Sequence, residues 1–159
     1  MHEDLNKILL QKDKKKLFVG IGNLLRTDDG VGVYISKSIR TNDSILSLTV
    51  EASIENYIGK INSLNPDMLI LIDCVDMKAI TGTFKLLSLK QIQDMTFNTH
   101  NISFKRLSEF FTMPVFVLGI QPEKIDFGEN LSYLVKKVAD KIIKQINKKE
   151  VHHGCRIYL

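Results

Sequence analysis

Asp29, Asp73 and His100 are the side chains whose types and settings best suit chemistry. Asp73 closes the apolar run 68–72. A group at the carboxyl end of a parallel strand lies on the ligand-binding edge of its sheet. Asp29 follows Asp28 just ahead of one expected helix, and His100 sits in a loop just ahead of another. If these elements start or finish on one edge, two carboxylates and an imidazole converge. That donor set suits a borderline divalent ion such as nickel, zinc or manganese and leaves coordination positions open. The separations are 44 and 27 residues, so spacing alone also admits a plainer arrangement. In it Asp28 and Asp29 cap a helix start, Asp73 caps a loop and His100 is a surface imidazole.

The segment Gly20-Ile21-Gly22-Asn23-Leu24-Leu25 occupies the place of a dinucleotide fingerprint. Leu25 stands where the third glycine would be, so close helix–strand approach is not provided in the usual way. Asp28 and Asp29 would oppose a pyrophosphate at the helix start. A nucleotide site is therefore disfavoured. Gly20 and Gly22 permit the turn and keep the surroundings of an ion open, and Asn23 holds the loop through its side chain. Asp76 either backs the site or is a plain loop acid. Gln121 lines the cleft after the last strand, and Cys74 reads as a small buried apolar residue. No G-x-S-x-G elbow and no placed Cys–His pair supplies a nucleophile. His152, His153 and Cys155 gather donors in a C-terminal tail with no assigned role.

These residues need a sheet edge to meet on. Short apolar runs at 17–21, 45–50, 68–72 and 115–120, with a candidate strand at 82–87, alternate with helical patterns at 31–39, 51–64, 102–111 and 131–149. Residues 88–99 read as polar loop. The alternation gives an α/β architecture with a mainly parallel five-stranded sheet. Residues 1–16 read as a basic, solvated lead-in with a short helix at the domain edge, 17–149 as one domain, and 150–159 as a tail.

The chain has 159 residues, 44% of them hydrophobic and 25% charged, enough for one ordinary core. No run is apolar and long enough for a membrane span, and no signal pattern precedes the first strand. Two cysteines do not make a disulfide scaffold, so a reducing cytoplasm is expected. The net charge of +4 resolves into +2 over residues 1–16, −2 over 17–126 and +4 over 127–159. With four Arg and no Trp, this is not the concentrated basic face of a nucleic-acid binder.

The stretch from Gly20 to Gly32, Gly-Ile-Gly-Asn-Leu-Leu-Arg-Thr-Asp-Asp-Gly-Val-Gly, resembles the opening signature of the nickel–iron hydrogenase maturation endopeptidases. Leu71-Ile72-Asp73-Cys74-Val75-Asp76, Thr99-His100, Gly119-Ile120-Gln121-Pro122-Glu123 and Gly128-Glu129-Asn130-Leu131-Ser132 resemble further family blocks in order. The resemblance implies a three-layer α/β/α domain with a twisted, mainly parallel sheet, of the phosphorylase/hydrolase-like kind. It implies an endopeptidase, grouped as aspartic-type, that removes a C-terminal extension from the hydrogenase large-subunit precursor once nickel is in place. By motif, the family's nickel-binding positions fall on Asp29, Asp73 and His100, with the nickel contributed by or shared with the precursor. The partner expected is that precursor, for a monomeric cytoplasmic enzyme. The alternative is a non-catalytic, nickel-sensing assembly chaperone with the same three residues.

Overall fold

The computed structural model describes residues 3–51, 53–94, 106 and 109–148. Five strands form one sheet in the order β2-β1-β3-β5-β4. They are β1 (Lys16–Ile21), β2 (Ile45–Val50), β3 (Met68–Cys74), β4 (Phe84–Ser88) and β5 (Val115–Ile120). β1 pairs in parallel with β2 and β3, and β3 with β5, while β4 runs antiparallel at the edge beside β5. The interior strands are buried on both faces, which is why they read as unbroken apolar runs rather than alternating ones.

Side chains leave a strand alternately to opposite faces, and the core divides accordingly. Phe18, Ile70, Ile72, Cys74, Leu118 and Ile120 pack on one face. There they meet α1 (Glu3–Leu9), α2 (Val31–Ser38) and α5 (Tyr133–Ile146). Leu17, Val19, Leu69, Leu71, Val115 and Val117 pack on the other. Their partners come from α3 (Ile58–Leu64), α4 (Leu89–Asp94) and Phe111. The result is the expected α/β/α sandwich.

Several expectations shift. The short N-terminal helix is present and packs through Leu5 and Ile8, which reach past the domain edge into the core. Lys16 ends the lysine run inside β1 and is buried. Its ammonium donates to the Gln11 carbonyl, and burial pushes its pKa below the ordinary lysine value against the opposing pull of Asp13 and Asp67. The loop expected from residue 88 begins as helix α4, anchored by the single buried Ile92. The helix expected over 51–64 starts as a 3-10 turn, Ile54–Tyr57, opened by Ser53, whose hydroxyl accepts from the Glu55 N–H. The helix expected over 102–111 and the tail from residue 149 lie largely outside the described residues.

Glycine sets how α2 meets the sheet. A Cβ on Gly20 would collide with the Gly32 carbonyl and Ser36, and one on Gly32 with the carbonyls of Ile72 and Ile21. Strand and helix therefore touch backbone to backbone. The close approach that Leu25 does not supply comes instead from Gly20 and from Gly32, the second residue of the helix. This contact brings the loop before α2 down onto the carboxyl ends of β1 and β3.

Candidate functional site

The carboxyl ends of β1, β3 and β5 lead into the loops 22–30, 75–83 and 121–132. Asp73 lies at that edge, fully buried, next to Gly119 in the β3–β5 register. By strand alternation it belongs to the face of Leu69 and Leu71. The described residues flanking the His100 segment, Ile92 and Phe111, pack on that same face.

Asp29 belongs to the 3-10 turn Thr27–Gly30, which packs against β3 and is almost wholly buried. Gly22, at φ +150°, leaves no room for a Cβ because the Asp29 carbonyl lies against it. Burial first, and then the negative charges of Asp73, Asp29, Asp28 and Asp76, hold the Cys74 thiol far above its ordinary pKa. Four carboxylates therefore share one neighbourhood. The thiol among them stays protonated and unreactive, as its reading as a small apolar residue requires.

Asp28 does something other than cap its own helix. Its carboxylate accepts hydrogen bonds from the N–H groups of Glu123 at 2.9 Å, Lys124 at 3.1 Å and Ser132 at 2.7 Å, and from the Ser132 hydroxyl at 2.7 Å. Ser132 is the residue that opens α5. Thr27 adds to this clamp. Its hydroxyl donates to the Lys124 carbonyl at 2.9 Å and accepts from the Asp126 N–H at 3.0 Å. The Thr27 N–H donates to the Gly128 carbonyl and the Gly128 N–H to the Leu25 carbonyl, both at 2.8 Å. The loop carrying Asp29 is thus stitched to the loop leading into α5. Thr27 and Ser132 were not singled out by sequence. Their partners lie about a hundred residues away, which no spacing rule covers.

The other expected residues hold loops. The Asn23 side-chain Oδ1 accepts from the Leu25 N–H at 2.9 Å, an Asx turn that fixes the bend. Gln121 does not face an open cleft. It is buried and accepts from the N–H groups of Met77 at 2.7 Å and Ala79 at 3.3 Å, while its amide donates to Asp76 at 3.2 Å. Asp76 is exposed and also accepts from the Lys78 N–H at 3.0 Å. It shapes the 75–79 turn.

Among the described residues, then, Asp29 and Asp73 are brought to one edge beside Asp28, and both offer oxygen donors to a cation. No group of three potential metal ligands occurs among the described residues. His100, His152, His153 and Cys155 lie outside them. A cavity of about 320 Å³, lined by Asp4, Ile8, Met68, Leu86 and Phe116 among others, sits at the amino end of the sheet, away from the carboxylates. No described helix is long and apolar enough to cross a membrane.

Comparison with known proteins agrees with this architecture. A solved nickel–iron hydrogenase maturation protease from Thermococcus kodakarensis superposes with a TM-score of 0.75 at 23% identity, over 91% of this chain and 99% of that one. An Escherichia coli endopeptidase gives 0.70 at 23% identity, over 84% and 89%. These likenesses establish the fold. A protein of Methanocaldococcus jannaschii, provisionally named a hydrogenase maturation protease, is 30% identical over 151 residues, covering 86% of this chain and 89% of its own. The family model described as hydrogenase maturation protease matches residues 51–149, a span that includes Asp73, His100 and Gln121. With that match over more than half its length, and an archaeal relative aligned along most of both sequences, the chain belongs to the hydrogenase maturation protease family.

Proposed function

We propose that this protein is a cytoplasmic endopeptidase that removes the C-terminal extension of a nickel–iron hydrogenase large-subunit precursor, and that nickel already held by the precursor is its recognition element. The observation that carries the reading is the burial of two carboxylates at one end of the sheet, Asp73 at the carboxyl end of β3 and Asp29 in the turn that packs against β3 and is clamped through Asp28, on the edge where a parallel sheet presents its ligands. Two carboxylates fixed at that edge match a cationic substrate centre. They are a poor match for an anionic one.

In this reading Asp29, Asp73 and His100 address the substrate's nickel, with the precursor's own ligands completing its shell. The metal supplies Lewis acidity to a nearby carbonyl. A carboxylate of the pair accepts a proton from the attacking water as the water oxygen bonds to the scissile carbonyl carbon. The C–N bond then breaks, the leaving amine takes the proton, and the mature large subunit ends in a new carboxylate. This is the sense in which an aspartic-type grouping fits. Cys74 is unsuited to act as a nucleophile because its thiol is buried and stays protonated.

The test is processing of nickel-loaded precursor by Asp29→Ala and His100→Ala variants, read by mass spectrometry. Both are expected to stop cleavage. Cleavage at the wild-type rate in either variant would remove that residue from the nickel contact, and a precursor left intact by the wild-type protein would favour a chaperone.

A further inference from the structure

Seven large hydrophobic side chains are conspicuously exposed among the described residues, and five of them border the carboxyl edge. Leu25 and Phe127 flank the backbone bridge between Arg26 and Gly128. Ile80 begins the turn whose Gly82 abuts Leu134 and Val138 on α5. Tyr133 and Leu134 form the first turn of that helix, directly after the Ser132 that Asp28 holds. Phe127 is 91% exposed and Ile80 83%. Large apolar side chains exposed on the loops of one sheet edge mark a surface made for a partner. Phe and Tyr are among the types enriched at interface centres.

The rim's own chemistry narrows the partner. Exposed charges between the apolar groups are of both signs: Arg26, Lys78 and Lys124 against Glu123, Asp126 and Glu129. That mixture neither steers a polyanion nor holds an anionic membrane. The rim residues sit on the loops that follow β1, β3 and β5 and on the first turn of α5, and the first of these loops also carries the buried Asp29.

We propose that Leu25, Ile80, Phe127, Tyr133 and Leu134 are the docking rim on which an apolar surface of the protein substrate seats, next to the bond to be cut. The inference rests on the proposed processing of a hydrogenase large-subunit precursor, and it assigns substrate affinity to side chains separate from the carboxylates. The Asp28 clamp gives the rim its rigidity, because one carboxylate fixes both the loop bearing Leu25 and the start of α5.

The experiment uses the full chain and the nickel-loaded precursor encoded in the same genome. The variants are Phe127→Ser with Ile80→Ser, and separately Leu25→Ser, each checked by thermal melting. Calorimetric binding and processing kinetics are measured for each. The expected result is a Kd and a KM raised about tenfold or more in the double variant, with kcat and melting temperature unchanged. Leu25→Ser should move the same way to a smaller degree. Binding within about twofold of wild type in the double variant would overturn the rim while leaving the proposed activity standing. So would a wild-type dimer that these substitutions dissolve, since the rim would then be a self-association face. Precursor bound through the rim but never trimmed would keep the rim and overturn the proposed activity. A wild-type protein that does not bind the precursor would overturn both.

Discussion

Replacing Asp28 by alanine is expected to destabilise the protein by about 4 kcal/mol. The carboxylate accepts four hydrogen bonds, two of them from the buried N–H and hydroxyl of Ser132, and two from the partly buried N–H groups of Glu123 and Lys124. A buried donor left without an acceptor costs about 1–3 kcal/mol, so Ser132 alone accounts for about 2–6. The other two donors can turn to water and add little. Asparagine is a graded control. With its oxygen in the Oδ2 position it still accepts from Glu123, Lys124 and the Ser132 hydroxyl, and only the Ser132 N–H is lost. That costs about 1–3 kcal/mol. Urea unfolding followed by circular dichroism reads both. With a slope of about 2 kcal/mol per molar, midpoints fall by about 2 M for alanine and about 1 M for asparagine. A midpoint for Asp28→Ala within about 0.3 M of wild type, or an asparagine variant as damaged as the alanine one, would refute the clamp.

Gly32→Ala should cost about 3 kcal/mol, because the added methyl meets the Ile72 and Ile21 carbonyls and the helix must lift off the sheet. Gly59→Ala, in α3 with open space around it, should instead stabilise by about 0.5–1 kcal/mol, and the same melts compare the two. Cys74 should resist iodoacetamide at mildly alkaline pH in a Cys155→Ser background and react only in denaturant, as mass spectrometry would show. Rapid labelling of the native protein would contradict its protonated, buried state. Tyr34 donates to Asp140 at 2.6 Å, and that hydrogen bond, then burial and the Asp140 charge, raise the phenol's pKa. Its contribution is thus present below the ordinary tyrosine pKa near 10 and fades as the pH climbs through the raised value. The melting-temperature gap between wild type and Tyr34→Phe should close above about pH 10, and a constant gap would count against the bond.

The strands were legible because burial on both faces writes itself as unbroken apolar runs, as in residues 68–72 of β3 and in Val115–Ile120. The edge strand β4 was placed two residues early at its start, since only Phe84 and Leu87 of its five residues are buried. Helix α4 was missed because its sequence LKQIQD buries one side chain and carries no periodic stripe. The core role of Leu5 and Ile8 was hidden by the lysine-rich stretch that follows them. At the site, the sequence put Asp73 at the carboxyl end of its strand and Asp29 just ahead of a helix, and both lie there. Asp28 read locally as a helix cap in the plainer arrangement, and its clamp was not legible because its partners are brought in by the β5–α5 loop. Gly32 acts through the crossing of a helix over two strands, which is a tertiary fact with no local signature.

The proposed enzyme cuts a nickel-bearing precursor and reads the nickel through carboxylates at the sheet edge. The most direct measurement incubates it with the same hydrogenase large-subunit precursor in nickel-loaded and nickel-free forms and weighs the products. Loss of a C-terminal peptide from the loaded form alone, abolished by Asp73→Ala, is the expected result. Equal cleavage of both forms, or none of either, would contradict the account.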